Sequence, residues 1–321
     1  MRYPMKLTAP LKDYLWGGTR LKEEYGKETA LEKVAESWEL ACHRDGHSVI
    51  ANGPAEGQTL EAWLSHAGRE MLGTNAARFS YFPLLVKLID AHDDLSVQVH
   101  PDDDYALRIE GEYGKTEMWY IVDAAPGAEL LYGFRREITK EEFRQRIADH
   151  TLLDAVCRVP VKKGDVFFIP AGTLHAIGKG ILICEIQQNS NTTYRVYDYG
   201  RVGADGKLRD LHIDKALDVT RLGPAPGHTE DGTAPDIFEG AQTRLLAACD
   251  YFTVYHLAID GLCTLSAGED SFQCLTALSG SLVLTSVSGE LHVKKGESVF
   301  LPAGLGRFAL QGTAELILSK V

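Results

Sequence analysis

The sequence is short of positive charge, of paired cysteines and of long apolar runs. Its 321 residues contain 33 Lys and Arg against 45 Asp and Glu, which gives a net charge of −12. Nucleic acids and anionic membrane surfaces are bound by basic patches, so this balance argues against both kinds of partner. The longest apolar run, residues 81–89, is broken by Pro83 and Lys87 and falls short of the ~18–20 residues that cross a bilayer.

The six cysteines are scattered without a Cys-x-x-Cys pair, and the N-terminus lacks the apolar segment of a signal peptide. We therefore expect reduced thiols, no cysteine-based zinc site and a cytoplasmic location. A hydrophobic share of 45% and a charged share of 24% are typical of a globular chain with an ordinary solvated surface. A chain of this length is expected to form two domains.

The most informative feature that is present is a segment that occurs twice. Residues 162–172 read KKGDVFFIPAG, and residues 294–304 read KKGESVFLPAG. The first copy leads to His175, a potential metal ligand, whereas the second leads to Arg307, a cation that cannot bind a metal. We expect the same fold unit to occur twice and to carry out chemistry only once.

Short alternating and β-branched runs between turn signals predict antiparallel sheets in sandwiches or barrels. The predicted strands include residues 166–169, 281–286, 298–301 and 315–318. Helical signals are fewer, with starts at Thr59 and Thr139 and a third helix near residues 210–217. The Pro- and Gly-rich residues 222–234 predict a linker. The expected organisation is a catalytic metal-binding domain over 1–221, this linker, and a metal-free C-terminal domain over 235–321.

The first copy continues into a pattern with a specific spacing. Gly164, Pro170, Gly172 and His175 follow G-x5-P-x-G-x2-H, which resembles the second conserved motif of the cupin superfamily. Cupins are small β-barrels that hold a metal in the lumen. The resemblance implies a mainly β fold of two cupin-like β-barrel or jelly-roll units with a few short helices.

Further metal ligands are predicted upstream of this motif. Strict alternation places Gln98 and His100 on one face of a strand, and Lys115 and Glu117 share a face of the next strand, which begins at Lys115. With His175 these side chains form a mixed nitrogen and oxygen set around one ion. The set suits Zn²⁺ and leaves Fe²⁺, Mn²⁺ and Co²⁺ open, because it contains no thiolate.

Longer segments are similar to the class I mannose-6-phosphate isomerases, most of all to the short bacterial form, over most of residues 11–215. The segments that carry the resemblance are WGG from Trp16, ESW from Glu36, PLLVKLI from Pro83, LSVQVHPD from Leu95, GKTEMWY from Gly114, IPAGTLHAIG from Ile169 and EIQQNSNTTYRVYD from Glu185. The large helical insertion of the longer family members is missing between Glu117 and His175.

The resemblance implies a metal-dependent interconversion of mannose 6-phosphate and fructose 6-phosphate through a cis-enediol. By position, Arg195 is the catalytic-site arginine, and Lys87 and Lys115 are associated with the substrate and its phosphate. The implied zinc ligands, for one ion per chain, are Gln98, His100, Glu117 and His175. The expected partner is a hexose 6-phosphate, and the expected assembly is a monomer or weak homodimer.

Other interpretations stay open at this point. Lys87 could pair with a buried acid, Lys115 could lie in a surface turn, and Arg195 could be a structural ion-pair residue. The general base could be a water, a lysine or another acidic residue. The chain could also act on a different phosphosugar such as glucose 6-phosphate, or serve as a non-catalytic sugar-sensing or structural cupin. An oxygenase is disfavoured, because Gln98 replaces the first histidine of the usual cupin His-x-His.

Overall fold

The computed structural model describes residues 2–203, 206–226 and 238–321. Within these ranges the strands are β1 Met5–Thr8, β2 Leu11–Lys12, β3 Glu36–Leu40, β4 Cys42–His43, β5 Gly46–His47, β6 Val49–Ile50, β7 Leu84–Ala91, β8 Val97–Val99, β9 Glu117–Ala124, β10 Glu129–Phe134, β11 Val156–Pro160, β12 Val166–Ile169, β13 His175–Ile177, β14 Ile181–Gln188, β15 Tyr194–Tyr197, β16 Ala241–Ala248, β17 Thr253–Ala267, β18 Gln273–Ser286, β19 Gly289–Lys294, β20 Ser298–Leu301 and β21 Gly306–Lys320. The helices are α1 Arg20–Glu23, α2 Leu60–Ala67, α3 Asp103–Ile109, α4 Lys140–Ala148, α5 Leu152–Ala155 and α6 Ile213–Val219. The prediction of a mainly β chain with a few short helices is confirmed.

The helix starts follow from capping side chains. The hydroxyls of Thr59 and Thr139 accept hydrogen bonds from the backbone N–H of Ala62 and Glu142, which confirms both predicted caps. The third predicted helix is α6, which lies two to three residues later than expected. No helix in the described part of the chain is both long and apolar enough to span a bilayer.

Two antiparallel sheets face each other in the first half of the chain. One contains six strands in the order β12-β9-β14-β7-β3-β2, and the other contains five in the order β11-β10-β13-β8-β15. A core cluster that includes Trp119 and Ile183 from the first sheet and Leu130 and Tyr132 from the second fills the space between them. Alternating inward side chains therefore produce a jelly-roll sandwich, as the period-two pattern predicted.

The six-stranded sheet is the middle layer of three. Its other face packs against the C-terminal half through Leu88, Met118 and Cys184, which share one core cluster with Phe252 and Phe300. Strands β7 and β14 are buried along their whole length for this reason. A sheet covered on both faces reads in sequence as a continuous apolar run, so a charged residue inside it is unusual and needs partners.

The third layer is an eight-stranded sheet in the order β16-β17-β21-β18-β20-β1-β6, with β19 paired to β18. It encloses its own core, formed by residues such as Leu265, Leu284 and Leu310. Strand β1 pairs with β20, so residues 5–8 of the N-terminus lie in the sheet of the C-terminal half. The predicted domain boundaries stay a prediction, and residues 227–234 of the predicted linker and 235–237 of the C-terminal domain lie outside the described residues.

Candidate metal centre and substrate pocket

Three strands bring the predicted metal ligands to one end of the sandwich. Gln98 lies in β8, His100 directly follows it, and Glu117 and His175 are the first residues of β9 and β13. Within the five-stranded sheet His175 is the register partner of Gln98. Glu117 reaches the same point from the opposing sheet, because β9 belongs to the six-stranded sheet.

The donor atoms of His100, Glu117 and His175 all lie within 4.8 Å of one another, and their side chains are buried. Nε2 of His175 lies 3.4 Å from Oε1 of Glu117, and Nε2 of His100 lies 3.6 Å from Oε2. The amide of Gln98 completes the group, with Nε2 at 3.4 Å from Nε2 of His175. A 180° turn of this amide exchanges its nitrogen and oxygen, so Gln98 can present an oxygen ligand at the same place.

Backbone carbonyls hold both imidazole rings in the form that binds metals. Nδ1 of His100 donates to the carbonyl of Thr192 at 2.9 Å, and Nδ1 of His175 donates to that of Thr173 at 2.9 Å. With the proton on Nδ1, the lone pair of each Nε2 points into the cluster. Burial lowers the pKa of His175 to about 4 and that of His100 well below its usual range, so both rings are neutral ligands at neutral pH.

The carboxylate of Glu117 keeps one oxygen, Oε1, that is available to a cation. Its Oε1 is buried without a hydrogen-bond donor and faces the lone pair of His175. Burial raises the pKa of Glu117 to about 8 and outweighs the ammonium of Lys115, 2.8 Å from Oε2, which lowers it. A metal ion held at this point would favour the ionised carboxylate, because metal binding releases the proton of its ligand. Two neutral imidazoles, one amide and one carboxylate that point at a common centre match the nitrogen and oxygen ligands that divalent zinc, iron or manganese prefers.

The two predicted lysines lie side by side among buried carboxylates. Nζ of Lys87 is 3.2 Å from Glu185 and 3.6 Å from Glu36, so the buried ion pair considered for Lys87 exists. Burial lowers the pKa of Lys87, but the two carboxylates outweigh it and raise the pKa, which keeps the ammonium charged. Lys115 is buried rather than exposed in a surface turn, and it lies 3.2 Å from Nε2 of His100.

A pocket of 260 Å³ opens above this cluster. Lys87, Lys115 and Gln98 line it together with Arg195, which is the register partner of Gln98 on β15. The guanidinium of Arg195 is held by the hydroxyl of Ser96, 3.3 Å from Nε, and by the carbonyl of Asp210, 3.0 Å from Nη1. The structure therefore brings all seven predicted site residues to one place, either in the pocket wall or in the group of predicted metal ligands beneath it.

Glu36, Glu185 and Arg209 also line the pocket and were not among the predicted site residues. Glu185 lies directly opposite Lys87 in the β14–β7 pair, and Arg209 lines the pocket with its Nε 2.6 Å from Asp198. A carboxylate within the apolar run of β14 was the available signal for Glu185, because such a group must find a cation. Arg209 lies in an irregular segment that gave no signal.

Comparisons with known proteins show which family the chain is similar to. A family model described as the catalytic domain of type I phosphomannose isomerase matches residues 5–123, and one described as the cupin domain of mannose-6-phosphate isomerase matches residues 241–321. The chain is 42% identical to the probable mannose-6-phosphate isomerase GmuF of Bacillus subtilis, over 99% of both chains. It is 39% identical to the mannose-6-phosphate isomerase of Streptococcus mutans, over 99% of this chain and 98% of that one.

Solved structures show the same likeness. The crystal structure of the mannose 6-phosphate isomerase from Bacillus subtilis matches 99% of both chains with a TM-score of 0.92 and 37% identity. The phosphomannose isomerase of Salmonella typhimurium, at 19% identity and a TM-score of 0.80, shows the shared fold alone. The prediction of cupin-like units is confirmed by these matches.

Proposed function

The chain belongs to the type I phosphomannose isomerase family, whose members are aldose–ketose isomerases, and we propose that it interconverts mannose 6-phosphate and fructose 6-phosphate. The observation that supports this most strongly is that two imidazoles, one amide and one carboxylate converge beneath a pocket lined by Lys and Arg side chains. The ligands fit a divalent ion, and the cations fit a phosphorylated sugar.

We assign one zinc ion per chain to Gln98, His100, Glu117 and His175. A bound divalent ion supplies a Lewis acid that polarises the carbonyl and hydroxyl oxygens of the open-chain sugar. Because the reaction shifts a proton between C1 and C2 without redox chemistry, the amide of Gln98 is an adequate ligand. A neutral amide also leaves the centre more positive than a second carboxylate would.

The remaining polar residues bind the substrate and stabilise charge. The guanidinium of Arg195 is held beside Gln98 by fixed partners, as a preorganised group for the developing enediolate requires. Lys87 and Lys115 are proposed to hold the phosphate, although three carboxylates offset their charge. We therefore add Arg209 to the cations that attract this group.

The general base must accept a proton during each turnover. Lys87 is a poor candidate, because Glu36 and Glu185 raise its pKa and keep it protonated. Its role is restricted to charge and orientation. The cytoplasmic location and the identity of the metal stay predictions.

The decisive experiment measures isomerase activity on mannose 6-phosphate and on glucose 6-phosphate, with and without a chelator, followed by addition of zinc. We expect turnover of mannose 6-phosphate that disappears with the chelator and returns with zinc. Turnover of glucose 6-phosphate alone would identify a different phosphosugar isomerase. Binding of the sugar phosphate without turnover or stoichiometric metal would identify a sensing module.

Substitution of Arg195 tests the second part of the proposal. R195A is expected to lower kcat by about 10²–10³-fold, the usual effect of removing one preorganised donor to a developing oxyanion. Zinc content should stay at one ion per chain, because Arg195 is not among the ligands. Wild-type turnover in R195A would remove this residue from the mechanism.

A further inference from the structure

The irregular segment between β14 and β15, residues 189–193, contacts one of the predicted metal ligands and also lines the pocket. The carbonyl of Thr192 accepts the hydrogen bond from Nδ1 of His100 at 2.9 Å. Asn191 and Thr193, on either side of it, line the pocket. A shift of this segment would therefore turn a predicted metal ligand and move two pocket residues at once.

The carboxylate of Glu112 makes three hydrogen bonds to this segment. Oε2 of Glu112 accepts hydrogen bonds from the hydroxyl of Ser190 at 3.3 Å, the backbone N–H of Asn191 at 3.2 Å and the hydroxyl of Thr192 at 3.1 Å. Three successive residues thus meet one oxygen atom. Glu112 is buried, and residues 189–193 belong to no strand, so these contacts replace the ladder that fixes a sheet.

The other oxygen of Glu112 faces two basic side chains. Nη2 of Arg44 lies 2.5 Å and Nε2 of His43 lies 3.3 Å from Oε1. Burial raises the pKa of Glu112, but the contacts with His43 and with the donors of Asn191 and Thr192 outweigh it and lower the pKa to about 2. The group is therefore an ionised acceptor, which makes stronger hydrogen bonds than a neutral one.

From this geometry we infer that Glu112 is a positioning residue for the metal centre, which fixes residues 190–192 so that the carbonyl of Thr192 orients His100. The inference rests on the proposed function, because it takes His100 as a metal ligand. Partners one step removed from a ligand change metal affinity by about 10–100-fold when they are lost. Glu112 acts through one further group, so its effect belongs at the lower end of that range.

The test measures zinc affinity by competition with a chromogenic chelator, together with kcat and KM for mannose 6-phosphate. E112A is expected to weaken zinc binding by about 10-fold and to raise KM by a similar factor. E112Q keeps an acceptor oxygen for the three donors and should stay within about 3-fold of wild type. T192V removes one of the three hydrogen bonds and keeps the backbone, so it should fall between the two.

The matched control is E142A, on the exposed side of α4. Glu142 also pairs with two basic side chains, Arg136 and Arg146, and none of the three is among the described residues that line the pocket. We expect wild-type zinc affinity and KM in this variant. Gln187 and Asp45 also hold the segment, through the carbonyl of Ser190 and the amide of Asn191, so E112A should still fold.

The outcomes separate this inference from the proposed function. An inactive wild-type protein would remove the proposed function, while the order of zinc affinities would still test the role of Glu112. An active wild type with unchanged zinc affinity and KM in E112A and T192V would overturn the positioning role. If E112A fails to fold, T192V and E112Q decide the question by the same measurements.

Discussion

The two fold units that contain the repeated segment are built alike, but they carry different side chains at every predicted ligand position. Gly164 and Gly296 make the same turn, with φ of 91° and 83°, and lead into β12 and β20. The strand register and the loop hydrogen bonds then match the four ligand positions of the first copy to residues of the second: Glu117 to Gln273, Gln98 to Ser266, His175 to Arg307 and His100 to Gly268. The fold of this unit therefore does not depend on the residues that would bind the metal.

What the copies share besides the fold is how they contact each other's half of the molecule. The carbonyl of Gly164 accepts a hydrogen bond from Arg244 of β16, and that of Gly296 accepts one from Lys27 near the N-terminus. Lys27 also pairs with the buried Glu39 at 2.6 Å, which in turn accepts from Ser298 of the second copy. Glu39 lies in β3, the strand that supplies Glu36 to the pocket. The C-terminal copy thus supports the catalytic half by packing.

His175 and Arg307, which follow the two copies at equivalent positions, can be exchanged to test this difference. H175R should abolish stoichiometric zinc and lower turnover by at least about 10³-fold, since a metal contributes several kcal/mol to stabilising the transition state. R307H should leave both unchanged, because Ser266, Gly268 and Gln273 supply too few ligands. Zinc content by atomic emission and turnover of mannose 6-phosphate measure both variants. A second zinc in R307H would show that the C-terminal copy retains a latent site.

The buried pair of Lys27 and Glu39 is hydrogen-bonded to Gly296 and Ser298 of the second copy, so its loss tests how much this contact stabilises the fold. K27M leaves the carboxylate of Glu39 buried without its cation, and removing one partner of a buried pair costs about 3–5 kcal/mol. K6M removes the more exposed pair of Lys6 with Glu297 and should cost less than about 1 kcal/mol. Urea unfolding measures both, and the double variant K27M/E39Q should recover part of the loss. Equal costs for K27M and K6M would mean that the buried pair stabilises the fold no more than the exposed pair does.

Substitutions at the two turn glycines distinguish the effect of their shared positive φ from the effect of a close contact that only Gly296 makes. A Cβ added to Gly164 meets no atom within 4 Å, so G164A should cost about 1 kcal/mol from its positive φ. A Cβ added to Gly296 would lie 2.1 Å from the carbonyl oxygen of Tyr25, so G296A should cost about 1–3 kcal/mol more through overpacking. Thermal unfolding compares the two. Similar losses would mean that the second turn is not packed tightly on the N-terminal segment.

The turn and strand of each repeated segment were predictable from the sequence, because turn chemistry acts locally. The predicted strands over 166–169 and 298–301 agree with β12 and β20 to the residue, since a turn glycine and a proline bracket each one. The long strands β18 and β21 were predicted only in part, because outward polar residues interrupt their apolar pattern. The place of β1 was not predictable, because its partner β20 lies almost 300 residues away and four residues carry no signal for it.

In the site, too, local patterns could be predicted from the sequence and long-range contacts could not. Alternation along one strand put Gln98 and His100 on one face, so the sequence alone could group them. Glu185 acquires its meaning only from the pairing of β14 with β7, which sets it opposite Lys87. Glu112 shows the limit more clearly, since it acts on three residues almost 80 positions further along the chain. Contacts of that range are consequences of topology rather than of pattern.

The smallest expected effects concern the second lysine of each copy. Lys163 lies 3.1 Å from Glu315 and Lys295 lies 4.0 Å from Glu24, so both cross to the other half of the molecule on the surface. Exposed pairs contribute about 0–1 kcal/mol and are screened by salt. K163M and K295M should therefore each change the free energy of unfolding by less than about 1 kcal/mol, and 0.5 M NaCl should reduce the difference from wild type. A larger loss that does not depend on salt would show that the lysine side chains, rather than the glycine carbonyls, make the main stabilising contact between the halves.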